Sequence, residues 1–135
     1  FQDERFVIPS FVRRILDIQK SGAKSGEIET GDTSIVRDFV DVRDVVRAYY
    51  QLLMQGKTGE VYNICGEKGV SLADVVKEIA DIVGVEITTR VNPDFVRPGD
   101  NQRVIGSAAK ICQDIGWKAE IPLRQTLTDM IEYMR

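Results

Sequence analysis

The chain of 135 residues contains no histidine, only two cysteines and no long apolar stretch. Without histidine, it lacks the commonest general base and the commonest metal ligand in proteins. Cys65 and Cys112 lie far apart and outside any metal-binding spacing, which favours small buried thiols in a reducing compartment. No apolar run approaches the roughly 18 residues of a membrane span, and the residues from Phe1 to Arg5 do not resemble a signal peptide. We therefore expect a cytoplasmic protein.

The sequence motifs of several enzyme classes are missing as well. No group of glycines has the spacing of a dinucleotide-binding loop, and the chain contains neither a P-loop nor a G-x-S-x-G turn. None of the four tyrosines is followed by a lysine four residues later, so the Tyr-x-x-x-Lys pair of short-chain dehydrogenases is absent. We therefore expect no catalytic residue, no cofactor site and no metal site in this chain alone.

The charges are balanced rather than concentrated in one region. The 18 lysines and arginines are scattered among 21 acidic residues, and the net charge is −3. Because the cationic residues form no stripe, neither a nucleic acid nor a membrane is an expected partner. With 43% hydrophobic and 29% charged residues, the composition is that of an ordinary globular domain, which has enough apolar residues for a core.

Hydrophobic periodicity predicts a helix-rich chain with short, separated strands. The predicted helices cover residues 6–20, 42–55, 72–83, 108–115 and 123–134. The predicted strands cover residues 27–30, 60–65 and 85–91, together with the extended first half of the segment 36–46. A strand followed by a helix usually belongs to a parallel sheet whose other strands come from elsewhere in the chain. The pattern therefore indicates part of an α/β protein.

The segment 36–46 is the most informative part of the sequence. It changes from an extended run to a helix start, where Asp41 can act as the N-cap and Asp44 follows three residues later in a carboxylate version of the capping box. Arg37 is thus expected beside a helix N-terminus, where backbone N–H groups favour an anion and a guanidinium can bind it with two hydrogen bonds. The alternative is that Arg37 forms an ordinary surface ion pair with Asp38 or another carboxylate.

Five motifs along the chain carry a family resemblance. They are Arg37-Asp38-Phe39-Val40-Asp41-Val42-Arg43-Asp44-Val45-Val46, Gly59-Glu60-Val61-Tyr62-Asn63-Ile64-Cys65-Gly66, Val96-Arg97-Pro98-Gly99-Asp100, Ile105-Gly106-Ser107 and Ile115-Gly116-Trp117. In this order and spacing the chain resembles the extended short-chain dehydrogenase/reductases of the NAD-dependent epimerase/dehydratase family, which act on nucleotide sugars. The closest likeness is to the GDP-mannose branch, with GDP-6-deoxy-4-keto-mannose reductases first and GDP-mannose 4,6-dehydratases second.

Two departures separate the chain from the dehydratases of that branch. The dehydratases have Thr-Arg-Lys where this chain has Ile8-Pro9-Ser10, and they have Trp-Gly-His where it has Phe39-Val40-Asp41. Both differences favour the reductases. The alternatives are a fragment of another sugar epimerase, or a non-catalytic module that binds a nucleotide sugar or a partner protein.

The resemblance also implies the place of this chain in a larger protein. Residues 1–135 would form a single C-terminal substrate-binding region, which is the C-terminal portion of a Rossmann-type α/β fold, and the N-terminal cofactor domain is absent. The full-length parent would bind NAD or NADP and a nucleotide sugar, with a GDP-sugar as first choice. Because strands 60–65 and 85–91 would lack sheet neighbours, we expect the chain to self-associate or to need the missing domain.

The family motifs imply the substrate-binding residues. By resemblance, Arg37 and Arg97 would bind the diphosphate of the nucleotide sugar, and Asp100 would help to hold the ribose or its surroundings. Two converging guanidiniums neutralise a diphosphate and fix its orientation. Phe6, Ile8 and Pro9 would form a wall of the base or sugar pocket, and the alternative for these three residues is ordinary packing in the core.

Overall fold

The computed structural model describes residue 3, residues 5–96 and residues 99–135, and its chain divides into two compact units. The first unit contains Phe1–Ile35, Ser71–Gln102 and Arg124–Arg135, and the second contains Val36–Val70 and Arg103–Leu123. Within the described ranges, no helix is long and apolar enough to cross a membrane.

The described regular structure consists of five α-helices and five short strands. The helices are α1 (Val7–Lys20), α2 (Val42–Gln55), α3 (Leu72–Val83), α4 (Ala109–Ile115) and α5 (Leu123–Met134). The strands are β1 (Ser25–Thr30), β2 (Val36–Asp38), β3 (Gly69–Ser71), β4 (Glu86–Val91) and β5 (Arg103–Val104), and a 3₁₀ turn covers Pro93–Phe95. The predicted helix-rich α/β architecture with short strands is therefore confirmed.

The first unit is built on a parallel pair of strands. β1 pairs with β4 in a register that runs from Ser25 opposite Glu86 to Thr30 opposite Val91. The expectation that strand 85–91 has no sheet neighbour is therefore wrong, because β1 pairs with it along its whole length. Parallel neighbours need a long crossover connection, and here the chain between them includes α3.

Two amphipathic helices supply most of the core of the first unit. Helices α1 and α3 pack together, and their fully or nearly fully buried side chains are Pro9, Phe11, Val12, Ile15, Leu16, Val75, Val76, Ile79, Ala80 and Val83. The ends of α3 follow from local sequence. The Ser71 hydroxyl accepts a hydrogen bond from the Asp74 N–H at 3.0 Å, and Gly84 ends the helix with a left-handed φ of 81°, as expected for these residue types.

The second unit contains a three-stranded sheet in the order β3-β2-β5. Strand β2 runs parallel to β5, with Val36 opposite Arg103 and Arg37 opposite Val104. The core of this unit is a cluster of Ala48, Ala108, Ile111 and Trp117. Gly116 ends α4 with a φ of 70°, which lets the chain reverse so that Trp117 enters the cluster.

The side of α2 that is rich in large apolar residues faces outward in the second unit. Val42, Tyr49 and Leu53 are 69%, 58% and 84% exposed, whereas Asp44 and Ala48 on the other side are buried. An apolar helix face normally marks the side that packs against a core. Here the small side chain of Ala48 packs into the cluster, and the burial of Asp44 is compensated by hydrogen bonds.

The predicted strand at residues 60–65 is not formed among the described residues, and no regular element covers it. Val61 is 80% exposed, while Tyr62 and Ile64 pack against the core cluster of the second unit. The sequence pattern of a strand is present, but a strand also needs a hydrogen-bonded neighbour. The expectation of two buried thiols is also wrong, because Cys65 is half-buried and Cys112 is exposed.

Candidate functional site

Arg37 lies in β2, the central strand of the sheet in the second unit. Its side chain is half-buried, and Nη1 donates a hydrogen bond to the carbonyl of Val36 at 3.0 Å. With β3 on one side and β5 on the other, its backbone is fixed by two neighbouring strands. A ligand that bound this guanidinium would therefore meet a side chain on a rigid element, which favours a defined binding geometry.

The carboxylate of Asp38 fixes the surroundings of β2. It accepts hydrogen bonds from the backbone N–H groups of Gly66 and Glu67 at 2.9 Å each and from that of Gly106 at 3.3 Å. Hydrogen bonds to a charged acceptor are stronger than those between neutral groups. Asp38 therefore anchors two loops to the strand that carries Arg37. The sequence pattern indicates only an ion pair with Arg37 for this residue.

Glu67 connects one of these loops to the start of α4. It adopts a left-handed φ of 59°, and its carboxylate accepts a hydrogen bond from the Ala108 N–H at 2.7 Å. A carboxylate beside the first turn is favourable because it satisfies an N–H group and complements the helix dipole. Although Ser107 lies just before this helix, the carboxylate at the start of the helix comes from a glutamate that is distant in sequence.

A carboxylate of the chain itself, that of Asp41, already lies at the N-terminus of α2. The Asp41 carboxylate accepts hydrogen bonds from the Arg43 N–H at 2.8 Å and from the Arg43 guanidinium at 2.9 and 2.8 Å. Asp41 is the predicted N-cap, and its buried charge occupies the position where the helix dipole would favour a bound anion. A diphosphate at Arg37 would therefore depend on the guanidinium rather than on the end of α2.

Asp44 does not complete the predicted capping box but binds the segment that follows α4. Its carboxylate accepts hydrogen bonds from the Glu120 and Ile121 N–H groups at 2.9 Å each and from Arg47 at 2.6 Å. Burial opposes ionisation, but these hydrogen bonds outweigh it and hold the pKa of the Asp44 carboxyl below its ordinary value. The backbone carbonyl of Asp44 also accepts a hydrogen bond from Trp117 Nε1 at 3.1 Å. The Ile-Gly-Trp motif is thereby fixed to the first turn of α2.

The other predicted site residues of the described chain lie in the first unit. Ile8 is half-buried on α1, Pro9 is buried in the same turn, and Asp100 is exposed. The burial of Pro9 supports its alternative role in core packing. The side chain of Ile8 is only partly buried and can still contact a ligand. Arg97 lies outside the described residues. The convergence of Arg37, Arg97 and Asp100 on one ligand therefore stays a prediction.

The segment 92–102 begins and ends in anchored positions of the first unit. The Asn92 N–H donates to the Thr30 carbonyl at 2.8 Å, and the Asn92 side chain donates to Glu29 at 3.1 Å. Gln102 donates to Asp32 at 3.1 Å. Both ends of the segment are therefore tied to β1 and the residues that follow it, and Arg97 falls between these anchors in the sequence.

Neither a glycine loop of the dinucleotide-binding type nor a cluster of metal-binding side chains is found among the described residues. The glycines with positive φ are Gly22, Gly59, Gly84, Gly99 and Gly116, and each of them lies in a turn or at the end of a helix. None joins a strand to a helix start, as a dinucleotide-binding loop requires. Within the same residues, no three side chains of the metal-binding types come together.

Comparison with protein families decides the family of this chain. A family model described as GDP-mannose 4,6 dehydratase matches residues 1–130. The chain belongs to this family. The GDP-mannose 4,6 dehydratase family lies within the extended short-chain dehydrogenase/reductases, so the resemblance in the sequence motifs is confirmed.

Relatives of known activity or structure support this assignment to the dehydratase family. The GDP-6-deoxy-D-mannose reductase of Pseudomonas aeruginosa is 38% identical over 126 residues, which cover 93% of this chain and 41% of the reductase. The structure of RMD from Pseudomonas aeruginosa complexed with NADPH has a TM-score of 0.88 at 35% identity, covering 98% of this chain and 43% of that chain. UDP-glucose 4-epimerase from Thermotoga maritima with UDP-glucose has a TM-score of 0.79 at 31% identity, covering 96% and 39%. The chain thus spans about two fifths of the length of these proteins.

Proposed function

We propose that this chain is the substrate-binding C-terminal part of an NAD(P)-dependent nucleotide-sugar enzyme, with a GDP-6-deoxy-4-keto-mannose reductase as first choice. The observation that carries the proposal is the match of 93% of the chain to the Pseudomonas reductase at 38% identity. The two departures from the dehydratase motifs, at Ile8-Pro9-Ser10 and Phe39-Val40-Asp41, support the same choice. NAD or NADP would bind to the part of a longer protein that this chain does not include.

In this proposal the chain binds and orients the nucleotide sugar. Arg37, held on the central strand β2, and Arg97 would grip the diphosphate, and Asp100 would hold the ribose or its surroundings. Ile8, whose side chain is partly accessible, would contact the base or sugar together with Pro9. A ligand held at its diphosphate and ribose has its sugar in a fixed position, which lowers the entropic part of the reaction barrier.

A direct test is the activity of the longer protein that the gene encodes. With a GDP-4-keto-6-deoxymannose substrate and NADPH, a reductase should oxidise one equivalent of NADPH per equivalent of substrate. A dehydratase, the second candidate, is favoured by the name of the family model, and it would convert GDP-mannose without net consumption of a nicotinamide cofactor. An open reading frame without a cofactor domain, or a purified protein with neither activity, would contradict the enzyme proposal and favour a binding module.

Arg37 tests the proposed binding role. A charge-assisted hydrogen bond contributes about 1.5–3 kcal/mol, so Arg37→Ala should weaken the binding of a GDP-sugar by about ten- to a hundred-fold. Arg37→Lys should also lose affinity, because an ammonium group cannot form the forked contact. Arg103→Ala is a matched control, because Arg103 is an exposed arginine in the neighbouring strand β5. Equal GDP-sugar affinity of Arg37→Ala and the unchanged protein, measured by calorimetry, would remove Arg37 from the site.

A further inference from the structure

Strand β4 forms an edge of the parallel pair in the first unit. Its neighbour on one side is β1, and in the described part of the chain no strand lies on its other side. An open edge presents backbone N–H and C=O groups without partners, and these groups are a template for another strand. The open edge of β4 is therefore a candidate interaction surface.

The hydrogen bonds at the two ends of β4 show which backbone groups face this edge. The Glu86 N–H donates to the Lys24 carbonyl at 2.9 Å, and the Asn92 N–H donates to the Thr30 carbonyl at 2.8 Å. Alternate residues of a strand direct their backbone groups to the same side, so the even-numbered residues of β4 bond to β1. The residues whose backbone groups face the open edge are Ile87, Thr89 and Val91.

The side chains of β4 leave this edge accessible to another strand. Successive side chains of a strand point to opposite faces of the sheet, so Ile87, Thr89 and Val91 share one face. Ile87 is half-buried, whereas Thr89 is exposed and Val91 is 55% exposed. The helices of the first unit therefore do not cover the outer side of β4.

The other face of β4 carries opposite charges near its two ends. Arg90 donates hydrogen bonds to Glu27 at 2.9 Å and to Glu29 at 2.5 Å, yet its side chain remains 60% exposed. Glu86 is exposed, and it has no side-chain hydrogen bond or ion pair among the residues that the structure describes. A complementary strand would therefore place a cation opposite Glu86 and a carboxylate opposite Arg90.

A second copy of β4 meets this requirement in one antiparallel register. Two identical strands related by a two-fold axis run antiparallel and present the same surface to each other. With Thr88 opposite Thr88 of the second copy, each Glu86 lies opposite an Arg90. In the same register Ile87 lies opposite Thr89, so that the edge-facing groups of these two residues form a hydrogen-bonded pair. The registers with Ile87 or Thr89 on the axis bring neither charge opposite its complement.

We propose that two copies of this protein pair through the open edges of β4, with Thr88 at the two-fold axis. The two-stranded sheets then join into one four-stranded sheet in the order β1-β4-β4-β1. An interface of two six-residue strands is small, so the association is weak and depends on protein concentration. This inference does not depend on the proposed function, because it needs only β4 and its edge.

A cysteine at the two-fold axis tests the register. Thr88→Cys, combined with Cys112→Ser to remove the exposed native thiol, should form an intermolecular disulfide in oxidised glutathione. The two side chains would belong to a non-hydrogen-bonded pair with Cβ atoms about 4.5 Å apart, which is within reach of a disulfide. Thr89→Cys in the same background is the matched control and should cross-link at least about ten-fold more slowly, because it lies opposite Ile87. Equal rates of the two variants would overturn the register.

Glu86→Lys tests the charge pairing. Exposed ion pairs are individually weak, but this variant replaces two attractions across the axis with two repulsions. Sedimentation should therefore give a dissociation constant about ten-fold higher than that of the unchanged protein. Asp81→Lys is the control, because it makes the same change of charge at an exposed position of α3 in the same unit, and it should change the constant by less than about two-fold.

The outcomes decide between a pairing edge and a protected edge. A 135-residue chain that stays monomeric in sedimentation at about millimolar concentration would overturn the proposal, and the charges of Glu86 and Arg90 would then protect the edge from pairing. Association of equal strength with Glu86→Lys would place the contact on another surface. The disulfide of Thr88→Cys also tests a longer protein that associates through other surfaces, because it forms only where two β4 strands meet. None of these readouts uses enzymatic activity, so a failure here leaves the proposed function unaffected.

Discussion

The substitution Asp44→Ala should destabilise the chain strongly, although Asp44 lies in the first turn of a helix, where a single cap is worth about 1 kcal/mol. The Asp44 side chain is 2% exposed, and its carboxylate accepts hydrogen bonds from the Glu120 and Ile121 N–H groups and from Arg47. The alanine variant would leave the two backbone N–H groups without this acceptor and would remove one acceptor of Arg47, which also donates a hydrogen bond to the Lys118 carbonyl. Its effect should therefore exceed that of losing an ordinary cap.

The size of the effect follows from the surroundings of the donors. Hydrogen bonds to a charged group contribute about 1.5–3 kcal/mol each, but the Arg47 side chain is 31% exposed and can be rehydrated, as can part of the surface at Glu120. We therefore expect a loss of about 3 kcal/mol, near the lower end of the range for breaking a buried ion pair. For a chain of this size, that loss corresponds to a decrease in Tm of about 10 °C.

Urea unfolding followed by circular dichroism measures this loss as a lower midpoint with an unchanged m-value. Asp44→Asn keeps one carbonyl acceptor and should show a smaller loss than Asp44→Ala. Asp81→Ala serves as the control, because Asp81 is an exposed carboxylate on α3, and it should change the free energy of unfolding by less than about 0.5 kcal/mol. A loss below about 1 kcal/mol for Asp44→Ala would show that water replaces the carboxylate, and the reasoning from its three donors would be refuted.

Further predictions concern the same unit. Because the folded-state pKa of Asp44 is lowered, its ionisation stabilises the chain above the ordinary carboxyl pKa of about 3.9. This contribution should be lost as the pH falls through the lower folded pKa, and acid titration of Asp44→Asn should lack it. Gly106→Ala should destabilise by about 1–3 kcal/mol, because the new Cβ would lie 2.7 Å from the Cys65 Sγ, and Cys65→Gly should restore part of this loss in thermal unfolding. Glu67→Gln should retain more stability than Glu67→Ala, because only an acceptor at that position can bind the Ala108 N–H; equal Tm values of the two variants would contradict this role.

Local sequence was enough to determine the helices. Helix α3 begins after Ser71 and ends at Gly84, as the sequence predicts, because an N-cap hydroxyl and a left-handed glycine act through neighbouring residues only. Helix α2 also keeps its predicted bounds, beginning after the N-cap carboxylate of Asp41 and ending at Gly56, which adopts an extended conformation. The motifs that resemble the family also lie along the sequence, so family membership was accessible without the structure.

The candidate site could be predicted only in part. The sequence predicts that Arg37 lies in an extended run, and the structure puts it in strand β2. The anchoring of its strand by Asp38 could not be predicted, because the three N–H groups that this carboxylate binds belong to residues at least 28 positions away. The sequence around an aspartate does not differ between a carboxylate that faces water and one that accepts hydrogen bonds from distant backbone N–H groups.

Strand pairing and the direction of helix faces were decided only by the tertiary structure. The pattern at residues 60–65 predicts a strand as clearly as the pattern at 85–91, yet in the part of the chain that the structure describes only the second has a neighbouring strand. A strand depends on hydrogen bonds to another part of the chain. The apolar pattern of α2 determined that it is an amphipathic helix, but not that the side with Asp44 and Ala48 would be buried. Sequence determines the pattern of a helix or strand through local interactions, whereas its partners are set by surfaces that only folding brings together.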